Sequence, residues 1–63
     1  MTDEQRLAQS YRIRAEELRT LAEMDEHAKT KEQLIGVARD YDRMAETLEA
    51  IDRTNKTLHK ARN

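Results

Sequence analysis

The sequence has no cysteine, no proline, a single glycine (Gly36) and only two aromatic residues, Tyr11 and Tyr41. Without cysteine the chain can form neither a disulfide bond nor a thiolate metal site, and its redox compartment cannot be inferred from cysteine usage. Without proline and with one glycine, it has almost no residues that interrupt a helix. A chain of 63 residues forms one domain at most and is only marginally stable alone.

Long apolar runs are also missing, and none approaches the roughly 18 residues that span a bilayer. The first ten residues, MTDEQRLAQS, are polar and acidic, unlike a signal or transit peptide. We therefore expect a soluble, cytoplasmic protein that does not contact membranes.

Signatures of catalysis are absent as well. The chain has no GxSxG motif, P-loop, GxGxxG motif or EF-hand loop, and no Glu-x-x-His pair of the kind found in di-iron bundles. The best candidate for a metal ligand is His27, four residues after Glu23 and beside Asp25 and Glu26. A solvated histidine is the favoured interpretation, because these ligands do not form a closed site. We expect no enzyme activity, no cofactor and no metal.

The residues that are present favour helix, since Ala, Leu, Glu, Lys, Arg and Gln dominate. Apolar residues alternate in steps of three and four in both halves, with alanine at each heptad a position and a large residue at d. The members of this seam are Ala8, Tyr11, Ala15, Leu18 and Ala22 in the first half and Leu34, Ala38, Tyr41, Ala45 and Leu48 in the second.

The seam is interrupted once, after Met24. Thr2 and Gln5 form a capping box at the start of the first half, and Thr30 and Gln33 have the same spacing at the start of the second. These signals predict an all-α protein, an antiparallel two-helix hairpin. Its helices are expected over about 3–25 and about 31–58, with a turn over about 26–30.

A turn about residue 28 sets a small residue against a large one in each layer of the hairpin. It pairs Ala22 with Leu34, Ala15 with Tyr41 and Ala8 with Leu48. The halves are also weak copies of each other at a shift of thirty residues, since Tyr11, Ala15 and Leu18 match Tyr41, Ala45 and Leu48. The last pair, Glu4 with Asp52, is polar and like-charged, which predicts that the packed seam has ended there.

A second column with heptad spacing runs beside the seam. It either widens the same core or forms a face for a second hairpin, which would give an antiparallel four-helix bundle. We favour the second alternative, because isolated two-helix units of this size rarely stand alone. The predicted interface is Leu7, Arg14, Leu21, Val37, Met44, Ile51 and Leu58.

Charge is unevenly distributed along the chain. Residues 1–52 contain all 13 acidic residues, whereas the charged residues among 53–63 are all bases: Arg53, Lys56, Lys60 and Arg62. In the predicted register these residues extend past the first helix. Bases near the end of a helix interact favourably with the helix dipole. The alternative is that they contact an acidic partner or nucleic acid. Four bases without an aromatic residue are a weak signature of nucleic-acid binding.

The order Tyr11-x-x-Arg14-Ala15-Glu16-Glu17-Leu18, followed after a short connection by Leu34-x-x-x-Ala38-x-x-Tyr41, resembles a set of short alphaproteobacterial proteins, rhizobial in type, that have no assigned activity. The resemblance covers about residues 11–51. It implies a bacterial cytosolic helical hairpin and adds no catalytic residue. Such proteins often have a proline in the connection, where this chain has Asp25-Glu26-His27-Ala28-Lys29.

The leading functional hypothesis is therefore a non-enzymatic interaction or structural module that self-associates or joins a larger protein assembly by helix packing. The alternatives are binding of nucleic acid or an acidic partner through residues 53–63, and inhibition of a larger protein.

Overall fold

The computed structural model describes the backbone of residues 1–61 and the side chains of residues 1–58. It consists of two helices, α1 (Asp3–Met24) and α2 (Ala28–Ala61), and the described residues include no strand. Thr2, which precedes α1, bonds to Asp52 late in α2, whereas Arg19 near the end of α1 pairs with Asp42 in the first half of α2. The two packed helices are therefore antiparallel, which confirms the all-α hairpin.

The start of α1 follows the predicted capping box. Thr2 is the N-cap residue; its hydroxyl accepts from the Gln5 N–H at 3.1 Å, and the Gln5 side chain accepts from the Thr2 N–H at 3.1 Å. Two of the N–H groups that have no partner inside the helix are thereby bonded. Asp3 and Glu4 in the first turn add negative charge at the positive end of the helix dipole.

The connection is shorter than predicted, and the second capping box is wrong. The α2 helix begins at Ala28, so Thr30 lies inside its first turn instead of preceding it. The Asp25 carboxylate accepts from the His27 N–H at 2.7 Å, and the His27 carbonyl accepts from the Lys31 N–H at 2.9 Å. Because Asp25 already orders the turn, good helix formers such as Ala28 and Lys29 enter the helix directly.

The core is a row of alanines. These small side chains let the helices approach closely, and the large seam residues lie at their edges, half-buried. Tyr11 and Tyr41 contact each other across the seam, with ring centroids 5.6 Å apart and the planes tilted by 35°. The buried alanines, all at most 2% exposed, are Ala8, Ala15, Ala22, Ala38 and Ala45.

Candidate functional site

The hairpin has two unlike flanks, one on each side of the alanine row. In an antiparallel helix pair the two e positions lie on one side of the seam and the two g positions on the other. Here the e side, called the ion-paired flank, contains Arg12 and Arg19 of α1 and Asp42 and Glu49 of α2. The g side, called the apolar flank, is the column Leu7, Arg14, Leu21, Val37, Met44, Ile51 and Leu58.

The ion-paired flank is closed within the hairpin. Arg12 pairs with Glu49, and Arg19 pairs with Asp42. The hydrogen bond and the charge of Glu49 raise the pKa of the Arg12 guanidinium above its ordinary value. These pairs join the helices side chain to side chain and satisfy the charges on this flank, so it offers little to another protein.

The apolar flank is open. Its six apolar members are large residues that expose between 41 and 59% of their surface: Leu7, Leu21, Val37, Met44, Ile51 and Leu58. The hairpin covers only about half of each of these side chains, so widening of the hairpin's own core accounts for part of their surface and leaves the rest exposed. A column of exposed apolar side chains over most of a helix is characteristic of a surface that binds another protein.

The two helices form a groove on this flank. It has a volume of about 610 Å³ and is lined by Leu7 and Tyr11 of α1 and by Met44 and Leu48 of α2, with Asp40, Arg43 and Thr47 at its edge. Its floor is thus apolar and its edge polar. Such a groove accepts apolar side chains from a facing helix, while its edge can form hydrogen bonds and ion pairs.

Arg14 is the one charged residue in the column. Its side chain is 62% exposed and lies 3.6 Å from the Glu17 carboxylate, one helical turn away. A contact of this length between two exposed side chains holds the guanidinium weakly. Arg14 is therefore available to a partner that docks on the apolar flank.

Asp52 was not predicted as a functional or structural residue, yet it is the buried polar residue of the described chain, at 4% exposure. Its carboxylate accepts from the Thr2 hydroxyl at 2.6 Å, the Gln5 side-chain amide at 3.0 Å and the Lys56 ammonium at 3.1 Å. The bond from Thr2, with smaller contributions from Lys56 and Gln5, lowers the pKa of Asp52 although burial opposes this.

The prediction that the packed seam has ended at Glu4 and Asp52 is therefore wrong, because Asp52 is buried. Asp52 bonds instead to Thr2 and Gln5, and it closes the open end of the hairpin. A signal was present in the sequence: Asp52 follows Ala38 and Ala45 at the same heptad position, and it stands thirty residues after Ala22. A carboxylate in an alanine row needs partners, and the capping box supplies them.

Of the four bases in residues 53–63, the structure describes the side chains of Arg53 and Lys56. Lys56 pairs with Asp52 and so belongs to the closure of the hairpin. Arg53 is exposed and lines a shallow surface depression with Thr54, Thr57 and Leu58. The side chain of Lys60 and all of Arg62 lie outside the described residues.

The turn carries no assembled metal site. The His27 imidazole is 85% exposed and lies 3.3 Å from the Asp25 carboxylate. Within the described part of the chain, no group of three or more His, Cys, Asp or Glu side chains is placed to hold an ion. The contact between Asp25 and His27 instead orders the turn just before α2 begins.

Comparisons with protein-family models, curated proteins and solved structures returned no significant match. The resemblance to short alphaproteobacterial proteins therefore stays a prediction. None of the described helices is long and apolar enough to cross a membrane.

Proposed function

We propose that this chain is a non-enzymatic helix-packing module that self-associates through its apolar flank, forming an antiparallel four-helix bundle from two hairpins. The observation that carries this proposal is the contrast between the flanks. One is closed by ion pairs between the helices, and the other exposes six large apolar side chains.

The energetics of this surface are sufficient for association. Fully burying a Val, Leu, Ile or Met side chain contributes about 1.5–3 kcal/mol. Six such residues, each about half exposed, would contribute roughly 4–9 kcal/mol per copy and twice that for a pair. Association costs about 4–15 kcal/mol, so a dissociation constant on the order of micromolar is within reach.

A second copy suits this surface better than a small ligand. The groove is open along its length, and the apolar residues extend beyond it from Leu21 and Val37 near the turn to Leu58. A second hairpin presents an equally long apolar column, so each copy covers the other. The same column would be the contact surface in a larger assembly of helical proteins, in keeping with a structural role in the cytoplasm.

The test is a pair of charge substitutions in α2. Met44→Glu places a carboxylate on the groove floor, whereas Arg39→Glu, an exposed position outside the apolar flank, changes charge by a larger amount. We expect Met44→Glu to weaken self-association at least tenfold, because two carboxylates would lose water in each dimer. Arg39→Glu should leave it within a few-fold of wild type.

Light scattering after size-exclusion chromatography, at several concentrations, measures both variants. Circular dichroism establishes that each variant remains helical. Equal self-association of the two variants would remove the apolar flank as the interface.

A further inference from the structure

The apolar flank also bears on how the two copies are oriented, an inference that rests on the proposed function. Two symmetric arrangements keep each helix antiparallel to its neighbours. In the same-end arrangement, both turns lie at one end and α1 packs on α2 of the partner. In the opposite-end arrangement, the turns lie at opposite ends and α1 packs on α1 of the partner.

The contacts within the hairpin fix the height of Arg14 along the bundle. The pairs Arg12–Glu49 and Arg19–Asp42 lie on either side of it. Tyr11, three residues before Arg14, contacts Tyr41 across the seam. Arg14 therefore lies close to the height of Tyr41 and Met44, and Met44 occupies the apolar flank there. Leu7, nearer the open end, shares the groove with Met44.

In the same-end arrangement, symmetry keeps every residue at its own height. Arg14 then faces α2 of the partner around Met44, and Asp40 lies one helical turn from Met44, at the edge of the groove. Among residues 1–58 the Asp40 carboxylate has no ion-pair partner within its own hairpin. An arginine and a free carboxylate thus lie at similar heights on surfaces that would face each other.

The opposite-end arrangement lacks this match. Arg14 is the middle one of the three residues that α1 contributes to the apolar flank, between Leu7 and Leu21. When α1 packs antiparallel on α1 of the partner with these leucines in contact, the two Arg14 side chains meet near the symmetry axis. Two guanidinium groups at close range repel each other.

We propose that the partner is a second copy docked with its turn at the same end, and that Arg14 of each copy pairs with Asp40 of the other. Arg14 is then the residue that selects the orientation. The apolar column supplies the affinity, and the two ion pairs, related by symmetry, determine which way the second hairpin faces.

The orientation can be measured directly because the chain has no cysteine. His27→Cys places one attachment point in the turn, where the side chain is exposed, and its backbone bonds remain. With a nitroxide label, the same-end dimer should give a distance below about 30 Å, because neighbouring helices lie roughly 8–10 Å apart. The opposite-end dimer would give about 40 Å or more, from the 1.5 Å rise per residue between the turn and the centre of the interface.

Charge reversal tests the residue assignment. Arg14→Glu and Asp40→Arg should each weaken self-association by roughly ten- to a hundredfold, because each replaces two attractions by two repulsions. An equimolar mixture of the two variants should restore it, since both contacts between unlike copies are again attractive. Native mass spectrometry distinguishes the mixed dimer from the two self-dimers.

The outcomes separate the two proposals. A monomeric wild type would overturn the proposed function and this inference together. A wild-type dimer with a label distance of 40 Å or more would overturn this inference alone. A short distance with no preference for the mixed dimer would overturn the Arg14–Asp40 pair.

Discussion

Replacing Ala45 with leucine tests whether the alanine row determines how closely the helices pack. Ala45 is 0% exposed, as are Ala15 and Ala38. A leucine adds three carbon atoms at a position that is closed to solvent between the helices, so we expect α1 to move away or side chains to leave their preferred rotamers. Overpacking of this kind costs about 1–3 kcal/mol. A domain of this length is stable by roughly 3–9 kcal/mol in total, so a substantial fraction would be lost.

Thermal unfolding followed by circular dichroism at 222 nm is the assay. For a domain of this size each kcal/mol lowers Tm by roughly 4–8 °C, so Ala45→Leu should lower Tm on the order of 10 °C. Ala50→Leu is the matched control, because Ala50 lies in the same helix and is exposed, and it should change the stability by at most about 0.5 kcal/mol. Both variants are compared at one protein concentration, since association makes Tm concentration-dependent. An Ala45→Leu variant that melts with wild type would refute close packing through the alanine row.

Three further changes probe other parts of the hairpin. Gly36→Ala should stabilise the protein by about 0.5–1 kcal/mol in urea unfolding, because Gly36 lies within α2 and an added Cβ meets no atom within 4 Å; destabilisation would show that the position needs glycine. Thr2→Ala should cost about 0.5–2 kcal/mol through loss of the N-cap, whereas Thr2→Ser should restore most of it; equal stability of the two would contradict the capping role. In the folded protein the pKa of Asp52 lies below its ordinary value of 3.8. The stabilisation by its ionised carboxylate is therefore complete above pH 3.8 and is lost as pH falls through the folded pKa. Asp52→Asn should therefore make the free energy of unfolding less dependent on pH below about 4. If the variant loses stability below this pH as steeply as wild type, Asp52 is not the cause of that loss.

Much of the fold was predictable because the helices are regular. Alternation in steps of three and four identifies the buried face of each helix, and the small residue at every a position identifies the close contact. The Thr2–Gln5 capping box places the start of α1 correctly because both members are local in sequence. The start of α2 was misplaced by three residues because Asp25, which lies before the apparent capping box, orders the turn.

The contacts by which Asp52 closes the hairpin could not be predicted from the heptad pattern, for a different reason. The heptad register alone pairs Asp52 with Glu4, and this like-charged pair predicts that the packed seam has ended there. The carboxylate instead reaches Thr2 and Gln5, so its environment depends on side-chain directions that spacing does not specify. The ion-paired flank was likewise not anticipated, since which of many exposed charges meet across the seam depends on the same detail.

The two-flank organisation raises the most direct question, which is whether the apolar flank is covered by a second copy in solution. Sedimentation equilibrium of the wild-type protein from one to a few hundred micromolar answers it without any label or substitution. We predict that the weight-average mass rises with concentration from near the chain mass of 7.4 kDa toward twice that value and stops there. A mass that stays at that of one chain over the whole range, in a sample that circular dichroism shows to be helical, would contradict the proposal that the hairpin self-associates.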